Sequence, residues 1–202
     1  MSRRIWLIAL GPALVLAVVV IAAGWTRWKQ ESYAFHGGEL VPLRPAAPIE
    51  LTDQNGRPFS LKEQEGKVVV LYFGYTSCPD ACPTTLSDWI SVKEALGQDA
   101  ARVRFVMVTV DPERDTPERL AQYLAFFDPA FIGLSGTVEQ TQALLQAYGV
   151  VAVKRQFDDS AAGYLVDHTT SVFVIDTLGR LRLVYAHGTD PKLIAEDLRH
   201  LL

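Results

Sequence analysis

Cysteine is nearly absent from this chain. Cys78 and Cys82 are the only two among 202 residues. One disulfide is therefore the most the chain can form. It would close a loop of about five residues, worth roughly 2 kcal/mol in the chain-entropy model. A chain with 49% hydrophobic residues has ample material for a core, so a purely structural bridge is the lesser reading. Basic runs are missing too. Lys and Arg number 19 against 23 Asp and Glu, and without Arg3 and Arg4 the remainder carries a net charge of −6. That balance argues against nucleic acid as a partner. No internal repeat or low-complexity tract is present, and no Arg- and Ser-rich transit peptide leads the chain.

Charge is missing altogether from Ile5 to Trp25. At helical rise such a stretch spans about 30 Å, the thickness of a bilayer core. Gly11 and Pro12 interrupt it, which membrane helices tolerate, and Trp6 and Trp25 sit near its ends. A cleaved signal peptide is the rival reading. Its apolar region is usually shorter, and Ala22-Ala23-Gly24 is a weak cleavage site. No cysteine follows, which excludes lipidation there. The reading preferred is an uncleaved anchor over residues 1–25. Arg3, Arg4 and the amino terminus favour a cytoplasmic N-terminus, against which Arg27 and Lys29 stand.

Residues 26–45 read as a tether, broken by Gly37-Gly38, Pro42 and Pro45. A folded domain is expected over 46–202. Asn55-Gly56 between apolar residues predicts a two-residue hairpin turn. The valine-rich run Lys67–Gly74 and the run Val103–Val110 predict strands buried on both faces. Helices are expected from Pro83 to Leu96, from the Thr116-Pro117 start to about Phe127, and from Val138 to Tyr148, ended by Gly149. Val150–Phe157 predicts a strand. Ser171–Asp176 and Leu181–Ala186 predict a terminal hairpin, and Asp190-Pro191 caps a last helix to Leu202. Alternation of this kind predicts an α/β sandwich with a mixed sheet.

The two cysteines fall between a buried strand and a helix start, where ligands bind in open α/β sheets. Pro83 suits the first turn of that helix, so free amides and the positive dipole end face the loop and favour thiolate. Two sulfurs so placed either exchange a disulfide or hold a thiophilic metal, and suit Cu(I). Cu(II) also wants nitrogen. Of four histidines, His36 lies in the tether, His200 in the last helical turn, and His187 after a strand. His168, in Val166-Asp-His-Thr-Thr-Ser171 just before a buried strand, is the best candidate. Asp111, at the end of the second buried strand, reads first as a turn carboxylate and otherwise as a partner of the site.

Four ordered motifs resemble the Sco/SenC family of copper chaperones: Phe73-Gly74-Tyr75-Thr76, Cys78-Pro79-Asp80-Ala81-Cys82-Pro83, Val110 to Thr116, and Asp167-His168-Thr169. The resemblance covers roughly Ile49 to Leu202. It implies a thioredoxin-like fold behind a membrane helix, with Cys78, Cys82 and His168 as ligands of Cu(I) and Cu(II). It further implies assembly of the dinuclear copper site of cytochrome c oxidase subunit II, a periplasmic copper donor, and a bacterial inner-membrane protein whose domain faces the periplasm. Two alternatives use the same residues. One is a thiol-disulfide oxidoreductase in which Cys78 and Cys82 are the redox pair, keeping the subunit's cysteines reduced. The other is a redox or copper sensor. A peroxidase reading is weakest, because no dedicated peroxidatic motif is evident. The segment Gln156–Tyr164 reads as a hydrophilic loop.

Overall fold

The computed structural model describes residues 15–25, 33–156 and 163–202. Residues 15–25 are helical, with Val15, Leu16, Val18, Val19, Val20 and Ile21 exposed. Among the described residues no helix is long and apolar enough to cross a membrane. The first part of the expected anchor and residues 26–32 of the tether lie outside the described residues.

Residues His36–Leu202 make a compact unit of their own. Its strands are β1 (Gly38–Pro45), β2 (Glu50–Asp53), β3 (Pro58–Ser60), β4 (Val68–Gly74), β5 (Val103–Thr109), β6 (Ile132–Ser135), β7 (Ala152–Gln156), β8 (Tyr164–His168), β9 (Val172–Ile175) and β10 (Arg180–Tyr185). Its α-helices are α1 (Ala81–Leu96), α2 (Pro117–Ala125), α3 (Val138–Tyr148) and α4 (Pro191–Leu201). Eight strands form one mixed sheet in the order β1-β10-β9-β4-β5-β6-β2-β3, and β7 and β8 pair separately.

The centre of the sheet is where valine density is highest. All seven residues of β4 are buried, as a strand covered on both faces requires. It runs parallel to β5 and antiparallel to β9. Its alternating side chains feed two cores. Tyr72 meets Trp89 of α1, which also stacks against Phe105 and Phe131. Phe73 points the other way, onto Tyr148 of α3 and Phe173 of β9. Helices cover both faces, as the sequence led us to expect. Helix starts match their capping residues: Thr116 accepts from the Arg119 amide and Asp190 from the Lys192 amide. Thr137 and Gln140 form a reciprocal capping box at α3, and Gly149 ends that helix with φ of 68°.

Two expectations need correction. Gly38–Pro45, read as tether, is a strand on the outside of the sheet against β10. Two prolines are compatible with it because an edge strand needs ladder amides on one side only, and the register shifts between Glu39 and Arg44. The turn at Asn55-Gly56 is not a two-residue one. Asp53 pairs with Arg57 and accepts from the Gly56 amide, so three residues turn the chain and Gly56 takes φ of 74°. The hydrophilic loop expected over Gln156–Tyr164 lies largely outside the described residues; beyond it Tyr164–His168 is a strand that the sequence did not reveal, β8, paired with β7. β6 was also missed, being a four-residue strand with a glycine inside it.

Candidate metal centre

The chain leaves the buried end of β4 at Gly74, turns through Tyr75–Asp80, and enters α1 at Ala81. Cys82 is thus a first-turn residue and Pro83 follows it where no amide hydrogen is needed. Cys82 is fully buried and Cys78 partly exposed; both are free thiols. Gly74 permits this packing. A Cβ there would lie 2.6 Å from the Tyr72 ring and 2.9 Å from the Cys82 Sγ.

His168, at the end of β8, closes the group. The two sulfurs and one imidazole nitrogen all lie within 4.8 Å of one another, and no other such group of His, Cys, Asp and Glu occurs among the described residues. Nε2 of His168 stands 3.5 Å from the Cys82 sulfur. Its Nδ1 is 3.0 Å from the Thr169 carbonyl, an acceptor, so Nδ1 carries a proton and Nε2 is the ring atom that faces the sulfurs. Tyr72 and Tyr75 hold the imidazole edge-on at 5.9 and 5.7 Å between ring centres. Hydrogen bonding to a carbonyl and packing between aromatics fix both tautomer and ring plane, the arrangement a metal-binding imidazole needs.

The thiols divide one proton unequally. Cys78 falls to about 3, first because the Cys82 thiol donates to it, with His168 and the Asp80 and Cys82 amides adding and burial opposing. The Cys82 amide lies 3.4 Å from the Cys78 sulfur. Cys82 is pushed up by its bond to Cys78 and by burial. The Tyr72 hydroxyl donates to the Cys82 sulfur at 3.4 Å and is itself pushed up by burial. The resting centre is one thiolate and one thiol beside an imidazole, a donor set of soft sulfur and borderline nitrogen suited to copper.

A buried carboxylate absent from the candidate list supports the loop. Asp115 is inaccessible and accepts from the Thr76 amide (2.9 Å), the Thr76 hydroxyl (2.6 Å) and the Thr109 hydroxyl (2.7 Å). Arg119 donates to the Thr76 and Ser77 hydroxyls. In sequence Asp115 reads as one more polar residue before a helix cap, and its burial has no local signal. Asp111 is also fully buried and is more than a turn carboxylate. It pairs with Arg114 and accepts from the Tyr164 hydroxyl at 2.7 Å, tying the end of β5 to the strand that carries His168. The other histidines stay away. His36 pairs with Glu196 on α4, and Nδ1 of His187 lies 3.3 Å from the Thr85 hydroxyl.

A family model described as SCO1/SenC matches residues 42–202. The SCO2-like protein of Rickettsia felis is 37% identical over 151 residues, which is 75% of this chain and 74% of that protein. The structure of Bradyrhizobium japonicum ScoI with copper bound matches with a TM-score of 0.72 and 38% identity, over 79% of this chain and all of that one. Apo Sco1 from Thermus thermophilus matches with a TM-score of 0.73 and 38% identity, over 85% of this chain and 99% of that one. The thioredoxin-like α/β architecture with its mixed sheet is the one these Sco structures share. With the motif loop, the distal histidine and the match over most of its length, the chain belongs to the SCO1/SenC family.

Proposed function

We propose that the chain is a membrane-anchored copper chaperone that assists assembly of the dinuclear copper site of cytochrome c oxidase subunit II. The observation that carries this reading is the gathering of the Cys78 and Cys82 sulfurs and the His168 nitrogen within 4.8 Å. Copper is the cargo. Cys78 offers a thiolate at once, Cys82 gives up its proton as the ion enters, and the lone pair of His168 adds the nitrogen that Cu(II) wants. The relation to Sco proteins solved with copper bound supports the choice of metal. The role in oxidase assembly follows from the family, and delivery to subunit II is the finer step of the proposal.

The anchor belongs to the same proposal. Ile5–Trp25 is free of charge, and its described part is a helix with an apolar surface exposed. It would hold the chain in a bacterial inner membrane with His36–Leu202 in the periplasm. Protease added to spheroplasts should digest that unit, and its survival would reverse the topology.

One observation favours a second reading. A thiolate at Cys78 beside the Cys82 thiol is also the resting state of a disulfide reductant. In that reaction Cys78 attacks a client disulfide, and Cys82 then attacks the mixed bond. Cys78 and Cys82 end oxidised to a disulfide, and the client leaves with two electrons and the one proton Cys82 held, taking its second proton from water to become a dithiol. Anaerobic titration of the reduced chain with Cu(I) separates the two. Stoichiometric tight binding is expected of the chaperone. Its absence, with rapid reduction of subunit II cysteines, would leave disulfide exchange as the function.

A further inference from the structure

A cavity of about 370 Å³ lies between the β7–β8 hairpin and α3. Val110, Val138, Leu145 and Val166 make apolar walls. Thr141 also lines it. That residue is 2% exposed, and its hydroxyl has no hydrogen-bond partner among the described residues. A buried hydroxyl costs free energy unless it is paired, so Thr141 offers a hydrogen bond to whatever fills the cavity.

The strand that roofs the cavity is itself incomplete. β7 pairs with β8 in a sheet of two, so its far side is an edge. The Thr169 amide donates to the Val151 carbonyl at 2.9 Å, which makes that pair an inward-facing one. Antiparallel alternation then turns the N–H and C=O of Ala152 and Lys154 away from β8. The matching outward groups of β8 are used: the Val166 amide donates to the Tyr75 hydroxyl at 3.1 Å, and the Tyr164 carbonyl accepts from Arg114 at 3.0 Å. On β7 no described residue takes them. Ala152 and Lys154 are the two β7 residues that line the cavity, so the open edge and the hollow adjoin.

We propose that the open edge of β7 takes an extended segment of a protein partner as a third strand, two of whose side chains, at positions i and i+2, enter the cavity. Residues set opposite Ala152 and Lys154 put their side chains on the face those two share, which is the cavity face. Main-chain bonds give such docking its strength, and the pocket gives it selectivity. The Thr141 hydroxyl supplies one polar contact inside. A small ligand would use the walls and leave the edge unpaired. The occupant that answers both features is an extended peptide. Ala152 stands opposite His168 in the ladder, so the docked segment runs two strand spacings, about 10 Å, from the His168 backbone. The inference goes beyond the copper role and stands without it.

The test pans a random dodecapeptide library displayed on phage against the full chain in mild detergent. Selected peptides are then synthesised and titrated. Lys154→Pro removes the outward N–H without touching the ladder to β8, whereas Lys154→Ala loses the same side chain and keeps that donor. Leu145→Trp fills the cavity. Peptides should bind Lys154→Pro at least about tenfold more weakly than Lys154→Ala, which lacks the same side chain, and Leu145→Trp at least about tenfold more weakly than wild type. Bound peptide should slow amide exchange at Ala152 and Lys154. Unchanged exchange at Val153 and Arg155 in Lys154→Pro shows that the hairpin holds. If it does not hold, Leu145→Trp and the protection of Ala152 decide. Equal affinity for Lys154→Pro with an intact hairpin, or failure to select any peptide, overturns the proposal. So does binding without protection of Ala152, or protection that grows with protein concentration alone, which would make a second copy the occupant.

Discussion

Cys82 sits in the first turn of a sixteen-residue helix, behind a strand whose seven residues are all buried. His168 ends a five-residue strand of a two-stranded hairpin, in which only Val166 of β8 is fully buried and β7 is mostly exposed. The sulfur half of the centre is therefore set by the main core. The nitrogen half is held by a few named contacts: the Tyr164–Asp111 bond, Arg114 stacked 3.7 Å over the Tyr164 ring, and the Val166–Tyr75 bond. The difference is one of origin: the main core sets the sulfurs, whereas the imidazole is placed by contacts that single substitutions can remove. Under the proposed function Cu(I), which two thiolates satisfy, would need the sulfur half alone, and Cu(II) would need both.

The comparison breaks first at the sulfurs. Cys78→Ser or Cys82→Ser should abolish stoichiometric binding of both copper states in competition titrations. A single variant that keeps tight Cu(I) would show that the core does not set the site. The next effect is state-selective. His168→Ala should keep Cu(I) within about tenfold of wild type and lose the sulfur-to-copper absorption of Cu(II). Equal weakening of both states would erase the distinction between the halves.

Stability sharpens the same contrast. Asp115→Ala strands the Thr76 amide and the Thr76 and Thr109 hydroxyls inside the protein, and should lower the unfolding free energy by about 3 kcal/mol in urea. On the hairpin side Tyr164→Phe loses one bond to Asp111, which keeps Arg114, so the cost should be about 1 kcal/mol. Reversal of that order would place the structural weight on the hairpin.

A pH dependence belongs to the sulfur half. Cys78 lies at about 3 in the folded chain against an ordinary 9.0, and Cys82 is raised. From about pH 3 to about pH 9 the folded pair holds one proton fewer than the unfolded pair, so its contribution to stability grows with pH and is lost as pH falls toward 3. Above about pH 9 the unfolded chain releases both protons while Cys82 keeps its own, and the contribution falls again. Urea midpoints of the reduced chain, compared with Cys78→Ser, should show this rise and fall. Alkylation of Cys78 by iodoacetamide should stay nearly flat between about pH 5 and 8, where an ordinary thiol accelerates steeply.

Local chemistry made much of this legible without a structure. Apolar runs marked β4 and β5, Thr116-Pro117 and Asp190-Pro191 marked helix starts, and Pro83 set Cys82 in a first turn. These are short-range effects, settled within a few residues by sterics, caps and burial pattern. The donor pair of the metal centre was readable because its two members lie in one loop. His168 is 86 positions from Cys82, and the residues around it distinguished it from His187 by little; the family motif identified it, and the fold brought it to the sulfurs. Tertiary structure alone decided the rest. β1 became a strand because β10 offered an edge. Asp115 became the brace of the cysteine loop because β5 and the loop before α1 converge on it. β7 and β8 became a separate hairpin because each found its partner in the other. Each of these depends on groups distant in sequence meeting in space, which no periodicity or spacing along the chain encodes.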